Sequence, residues 1–369
     1  MRVGINTLSA TYGGGLTNAT NLVKALVRLD DRNEYIVFLK TDKKNFYWVD
    51  KENVKYVECP IWDGALLKRL VWENKVLPGL LEKHRVDVFL NFGIYTILRR
   101  TCPQVFFLQV TLDYFSYKVW RYDPKVIIKK FVFGLTRKNI DSMLVLSDTV
   151  KNEVVHKYPE FEGRVFSVPI GTDHINSSVN THNREFILTV SSFQPYKNYV
   201  NLIKAFGTLK KRYGRSYRLV IVGSPTDLRY YRRVKAAVRK MCLEVDVVFP
   251  GSLSFDELED FFGRAVLYVF PSYLEADGAT PLEAMASGVP VAASDILPVR
   301  DSCGDAAVYF NPFDAEEMAK VMYGVLDDGE LRKKMIQKGA QRARQFTWEK
   351  AAAEVLKVSE NLERSSRHY

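Results

Sequence analysis

The 369-residue sequence contains no apolar run approaching the roughly 18 residues needed to cross a bilayer. Its amino terminus, MRVGINTLSA, lacks the basic segment and apolar core of an export signal and reads as a buried strand, so cytoplasmic residence is expected. Cysteine is scarce. Cys59, Cys102, Cys242 and Cys303 stand far apart, with neither a metal-ligand spacing nor the density of a disulfide framework, and are expected to be buried thiols. The histidines His84, His156, His174, His182 and His368 are equally scattered, with no two placed to share a helical face as ligands. No Asp-x-Asp pair occurs, and the adjacent acids Asp30–Asp31 and Asp327–Asp328 fall at predicted helix ends. The sequence therefore predicts neither a structural metal nor a metal-dependent reaction.

What is present is ordinary globular usage, 47% apolar and 26% charged, in a chain longer than one hydrophobic core usually supports. Two domains are the expectation. Charge is uneven between them: residues 1–180 hold 26 Lys and Arg against 19 Asp and Glu (+7), and the remainder 27 against 24 (+3). The excess peaks between Lys118 and Lys138, where Lys118, Arg121, Lys125, Lys129, Lys130, Arg137 and Lys138 face only Asp123. Tyr122, Val126, Ile127, Phe131 and Phe133 interleave with them. Such a segment can lie on an anionic membrane surface or meet an anionic acceptor, or it can be the solvated face of a helix over a core. No recognised nucleic-acid-binding motif accompanies it, and nucleic acid is not expected as a partner.

Short apolar runs, Val3–Ile5, Tyr35–Leu39, Val86–Leu90, Val105–Leu108 and Met143–Leu146, alternate with segments of helical period such as Leu16–Leu29 and Lys129–Lys138. That alternation predicts an α/β fold with a parallel sheet covered by helices. The polar stretch NSSVNTHN, 176–183, interrupts it and marks a domain boundary. Strands at Phe186–Val190, Leu219–Val222, Val247–Phe249, Val266–Phe270 and Pro290–Ala293 then repeat it. Two doubly wound domains follow, 1–176 and 184–346. A last helix within 347–369, capped by Thr347, carries Trp348, Ala351, Val355 and Val358 and is expected to pack back on the first domain. Ligands of such sheets bind at the carboxyl ends of the strands, and a shared ligand would sit in the cleft between two facing domains.

The stretch EADGATPLEAMASGVPV from Glu275 follows the predicted strand Val266–Phe270, which makes it a strand-to-helix loop. Gly278 permits close backbone approach, Pro281 suits the first helical position, and Gly288 closes the run Leu282–Ser287. Amides of Gly278, Ala279 and Thr280, beside a helix dipole, can hold pyrophosphate or sugar oxygens. Glu283, in the first turn, can accept hydrogen bonds from a ribose diol, and Glu275 can touch a sugar; each can also be an acid favoured by the helix terminus.

This stretch resembles the Glu-x7-Glu signature of retaining glycosyltransferases of family 4. Their fold is GT-B, two Rossmann-like doubly wound parallel-sheet domains facing a cleft and clasping a nucleotide sugar. Further segments agree in order: Gly13–Gly15 after the first strand, SDTVKNEV after Leu146, IGTD at Ile170–Asp173, QPYKN at Gln194–Asn198, PGSLSFDEL at Pro250–Leu258 and WEKAA. Nearly the whole chain is covered. The resemblance implies that Glu275 contacts the donor sugar and Glu283 the ribose. Gly14 and Gly15, with Thr17, would meet the distal phosphate, although a plain tight turn explains the glycines too. Lys197, placed to open a helix after strand Phe186–Val190, would stabilise the leaving diphosphate. An arginine that the family often shows near this lysine is absent, and Ser191, Ser192 and Tyr196 stand there; Ser192 is taken as a donor-side hydroxyl. Many relatives have a His-Asp pair at a strand end in the first domain. Here Gln109 ends Val105–Leu108 and Asp113 follows, so Gln109 is the positional counterpart and Asp113 a candidate acceptor residue, while an ordinary strand-end polar residue remains an equal account of Gln109. Phe249–Leu253 would meet the base, with Leu253 packing on its face.

The implied activity is metal-independent hexosyl transfer from a nucleoside-diphosphate sugar to an acceptor hydroxyl, with retention at the anomeric carbon. The nucleotide sugar is the donor substrate and no cofactor is expected. The acceptor would be a saccharide or a lipid-linked saccharide, in cell-surface polysaccharide, lipid-linked glycan or glycoconjugate synthesis, with 118–138 lying on the inner face of the membrane. Two other readings stay open: a sugar-nucleotide epimerase of the same architecture, and a basic binding protein that keeps the scaffold without catalysis.

Overall fold

A computed structural model describes residues 1–10, 13–61, 66–93, 95–111, 124–175, 184–214 and 216–366. The chain divides into two units, Met1–Gly171 with Thr347–Tyr369, and Thr172–Phe346. The stretch 176–183, where the sequence places a boundary, lies outside the described residues, and the units part between Gly171 and Thr172.

Unit 1 is a seven-stranded sheet of β1 (Arg2–Asn6), β2 (Glu34–Lys40), β3 (Val54–Cys59), β4 (Val88–Gly93), β5 (Gln104–Leu108), β6 (Ser142–Val145) and β7 (Val165–Ser167). All neighbours pair in parallel, in the order β3-β2-β1-β4-β5-β6-β7. Continuous apolar runs such as Tyr35–Leu39 and Val105–Leu108 are buried along their length, as a sheet covered on both faces requires. The helices are α1 (Gly13–Leu29), α2 (Lys44–Tyr47), α3 (Leu66–Lys75), α4 (Leu77–Lys83), α5 (Pro124–Thr136) and α6 (Asp148–Lys157). Helix α1 buries Ala19, Leu22, Val23, Leu26 and Val27, one stripe at helical spacing.

Unit 2 is a six-stranded parallel sheet of β8 (Phe186–Val190), β9 (Arg218–Val222), β10 (Val247–Gly251), β11 (Ala265–Phe270), β12 (Val291–Ser294) and β13 (Ala307–Phe310), in the order β10-β9-β8-β11-β12-β13. It carries α7 (Tyr199–Tyr213), α8 (Leu228–Lys240), α9 (Phe255–Arg264), α10 (Ala279–Ala286), α11 (Leu297–Cys303), α12 (Ala315–Asp327) and α13 (Gly329–Ala343). Helix starts follow capping chemistry. Ser254 and Glu257 form a reciprocal box at α9, and Asp227, Asp314 and Asp328 accept from the first amides of α8, α12 and α13. The chain then returns to unit 1 in α14 (Trp348–Ser366), which packs along α1, buries Ala351, Ala352, Val355 and Val358, and pairs Glu360 with Arg32 at 2.9 Å.

Several sequence expectations change in detail. Gly13–Gly15 form the first turn of α1 instead of preceding it, with Gly13 at a positive φ of 58°. Strands β3, β7 and β13 did not register as apolar runs: each lies at a sheet edge and buries only one or two of its residues. Cys59, Cys102 and Cys303 are buried, but Cys242 is exposed, at a positive φ of 55° just past α8.

Candidate functional site

In unit 2 the winding direction reverses between β8 and β11, the neighbours at the middle of the sheet. The loops leaving their carboxyl ends diverge, and the gap between such loops is where doubly wound sheets bind ligands. Here the two loops are stitched together. Asn198, in the left-handed conformation at φ 60°, buries its amide and donates to the Pro271 carbonyl at 3.0 Å and the Pro312 carbonyl at 2.6 Å. The Tyr273 amide donates to the Tyr196 carbonyl at 3.0 Å. A third loop is held as closely: a Cβ on Gly223, at φ 147°, would stand 2.0 Å from the Ser191 carbonyl oxygen.

Lys197 closes the short turn Pro195–Lys197, and α7 starts two residues later, so the lysine precedes the helix it was expected to open. Its Nζ reaches Glu275 Oε1 at 2.6 Å, with both side chains largely buried, 12% and 13% exposed. The ammonium also stands over the rings of Tyr196 and Phe270, 5.1 and 5.9 Å from their centroids. Burial alone would lower the Lys197 pKa; the facing Glu275 carboxylate, with smaller help from Tyr196 and Asp277, outweighs it and raises the group above its ordinary value. The site thus favours the charged ammonium of Lys197 beside the Glu275 carboxylate. Ser192 lies half-buried at the start of the same loop.

The loop after β11 departs from expectation at its amides. Helix α10 begins at Ala279, which puts Pro281 third in the helix and Glu283 in the second turn. The buried Gly278 amide donates to Ser302 Oγ at 2.9 Å, and the Ala279 amide points to Asp277 Oδ1 at 3.3 Å. Two of the three amides expected to face a ligand are thereby engaged within the protein. Gly278 is required for packing, since an added Cβ would lie 2.8 Å from Ser302 Cβ. Thr280 Oγ1 accepts from the buried Tyr268 hydroxyl at 2.8 Å, which ties the first turn of α10 to β11.

Two residues that sequence reasoning passed over stand in this site. Asp277, inside the EADG run, caps Ala279 with one carboxyl oxygen, while Oδ2 is buried without a hydrogen-bond partner among the described residues. Burial first, and then the Glu275 carboxylate, push its pKa up to about 7, against the opposing pull of the Ala279 amide and Lys197. His174, directly after the IGTD turn, brings Nε2 to 3.5 Å from Glu283 Oε1. A search for histidine pairs at ligand spacing could not find it, because its partner is a carboxylate more than a hundred positions away. Leu253 follows β10 and packs half-buried against the apolar core of this unit.

In unit 1, Gln109 is half-buried at the carboxyl end of β5, and a Cβ on Gly15 would stand 3.7 Å from its Oε1. Gly14 opens onto free space, and Thr17 Oγ1 donates to the Gly13 carbonyl at 3.4 Å. Gln109 and the glycine turn therefore lie side by side. Asp113 falls outside the described residues.

Residues 172–342 match the family described as glycosyl transferases group 1. An O-antigen chain mannosyltransferase of Salmonella typhimurium is 31% identical over 52% of this chain and 54% of its own. O-antigen chain mannosyltransferase B of Escherichia coli is 25% identical over 77% of this chain and 71% of its own. The chain spans about half or less of the length of the first curated relatives it matches. A sucrose-phosphate synthase from Thermosynechococcus elongatus superposes with a TM-score of 0.78 at 17% identity, covering 99% of both chains, and so shares the fold.

Proposed function

We propose, from the match of residues 172–342 to the glycosyl transferases group 1 family, that this chain is a glycosyltransferase of family 4 that moves a hexosyl group from a nucleoside-diphosphate sugar to an acceptor hydroxyl with retention. The observation that carries the reading is the Lys197–Glu275 pair at the point where the sheet of unit 2 reverses. A buried ammonium held charged by its neighbours suits a leaving diphosphate, whose negative charge grows as the glycosidic bond breaks. Glu275 orients the sugar, Glu283 the ribose, and Leu253 the base. Ser192 and the Thr280 amide supply further donors to the phosphates, and no cofactor beyond the donor takes part.

In the proposed step the acceptor oxygen bonds to the anomeric carbon on the face from which the diphosphate departs. The bond between that carbon and the phosphate oxygen breaks, and the acceptor proton passes to the departing phosphate. Lys197 neutralises diphosphate charge that a metal ion neutralises in other transferases, so the proposed reaction is metal-independent. In this reading Gly14 and Gly15 offer amides to the distal phosphate, and Gln109 meets the donor sugar.

Names of the relatives make a mannosyl donor and an O-antigen or other polysaccharide acceptor the first to test. A membrane-bound acceptor also fits α5, which exposes Ile127, Phe131 and Leu135 in one stripe four residues apart, with Lys129 and Lys130 between them. Among the described residues no helix is long and apolar enough to cross a membrane, so contact through this stripe would be peripheral, on an anionic leaflet. Thermal shift against GDP-mannose, UDP-glucose and their nucleoside diphosphates, followed by product NMR, tests the reading. A melting temperature raised by a nucleotide sugar and an axial or equatorial product matching the donor's anomer are expected. Epimerised donor without transfer would overturn it.

A further inference from the structure

We propose that His174 is a positioning residue for nucleotide recognition: it holds one carboxylate oxygen of Glu283 so that the other is presented to the ribose diol of the donor. The proposal rests on the preceding assignment of Glu283 to the ribose. Three pieces of unit 2 converge to place the imidazole. The turn that carries it is anchored by Thr172, whose amide donates to the Phe346 carbonyl at 3.0 Å and whose hydroxyl donates to the Ala343 carbonyl at 3.1 Å. Thr172 in turn accepts from the Ile175 amide at 3.0 Å, closing the turn around His174. From a second side the ring leans on Phe255, with centroids 5.6 Å apart at 38°, and Phe255 is the first residue of the box-capped α9. From the third, Glu283 Oε1 in α10 lies 3.5 Å from the buried Nε2, a close polar contact longer than a formed hydrogen bond, which a small shift of the carboxylate on nucleotide binding would close.

A glutamate on a helix surface is otherwise a flexible acceptor, and ordering it on binding costs affinity. Here the pair is 12% and 13% exposed, enough to confine the carboxylate and too little to release it into water. Among the described residues no hydrogen bond occupies Glu283 Oε2. One oxygen is steadied by the histidine, and the other remains available to a hydroxyl donor. A pair of vicinal hydroxyls is the chemistry that such a fixed acceptor selects, and a nucleotide without them gains nothing from it.

The test compares binding of a nucleoside diphosphate with that of its 2′,3′-dideoxy counterpart. GDP and UDP are the probes, measured by calorimetry on the full chain, for the wild type, His174→Ala, His174→Gln, Glu283→Ala and the double variant. His174→Ala is expected to weaken the ribonucleotide roughly tenfold, because Glu283 must then be ordered on binding, and to leave the dideoxynucleotide unchanged. His174→Gln, which can still present an N–H, should recover part of the loss, and adding His174→Ala to Glu283→Ala should cost nothing more. Equal weakening of both nucleotides, or full ribonucleotide affinity in His174→Ala, would overturn the proposal, as would an additive double variant. Melting curves identify a variant that has merely lost its fold, and His174→Gln then carries the comparison. If the wild type binds neither nucleotide, the glycosyltransferase reading itself fails, an outcome distinct from binding that ignores His174.

Discussion

Lys197 and Glu275, 78 positions apart, meet at 2.6 Å across the two loops that leave the central strands β8 and β11. The contact joins what the sequence assigned to two separate jobs, phosphate and sugar, into one electrostatic unit. Neither charge can be removed without changing its partner.

Replacing Lys197 with Ala should lower turnover about 100- to 1000-fold, the range seen when one stabilising group is taken from a developing charge. It also leaves the Glu275 carboxylate buried beside Asp277, at a cost of about 2 kcal/mol in unfolding free energy. Glu275→Gln keeps the volume and removes the charge, and should restore much of that stability in the Lys197→Ala background without restoring turnover. Chemical denaturation of the four-membered cycle, alongside single-turnover kinetics, measures both. Additive stability losses would show that the pair is not coupled.

Asp277 predicts a pH dependence of opposite sign to the usual carboxylate. Its folded pKa, pushed up to about 7 by burial and Glu275, exceeds the ordinary aspartate value, so between those two pH values the folded chain binds a proton that the unfolded chain has released. This contribution to stability is whole below the unfolded pKa, falls as pH rises through the folded one, and levels above about 7. Asp277→Asn, which cannot ionise, should therefore gain stability on the wild type as pH rises from 5 to 8, by about 2 kcal/mol over that interval. Parallel slopes for the two proteins in urea melts from pH 5 to 8 would refute the assignment.

The alternation of buried strands and amphipathic helices was open to reading because central parallel strands carry unbroken apolar runs, as in Val105–Leu108. Edge strands such as β3 and β13 bury only some of their side chains, and their runs are broken accordingly. At the site, Glu275, Lys197 and Glu283 stood out through spacing and residue type. What spacing does not contain is the third partner. Ser302 takes the Gly278 amide, Asp277 takes that of Ala279, and His174 reaches Glu283, each arriving from an element whose approach depends on tertiary packing.

Two glycines separate packing from conformation. Gly278→Ala places a methyl 2.8 Å from Ser302 Cβ at an ordinary negative φ, an overpacking that costs about 1–3 kcal/mol and that Ser302→Ala should only partly relieve. Gly223→Ala meets a backbone carbonyl at 2.0 Å and a φ of 147°, and backbone cannot yield as a side chain can. The first variant is expected to fold with a lowered melting temperature, and the second to be recovered unfolded or not at all. Similar melting temperatures for both would contradict the distances.

The α5 stripe yields a prediction in which stability and function part. Ile127, Phe131 and Leu135 are 52%, 66% and 45% exposed, so replacing all three with Ser removes little buried area and should leave the unfolding free energy within about 1 kcal/mol of the wild type. Binding to vesicles containing anionic phospholipid depends on the same side chains entering the acyl boundary while Lys129 and Lys130 remain at the headgroups. Sedimentation with such vesicles should therefore fall steeply in the triple variant, whereas Lys129→Ala with Lys130→Ala should weaken binding at low salt and matter less as salt screens the attraction. Transfer to a water-soluble acceptor should continue in all of these variants, since the substituted side chains lie on the exposed face of α5 and outside the residues assigned to the donor. If the triple variant sediments like the wild type, the stripe is an ordinary solvated helix face and membrane contact must lie elsewhere.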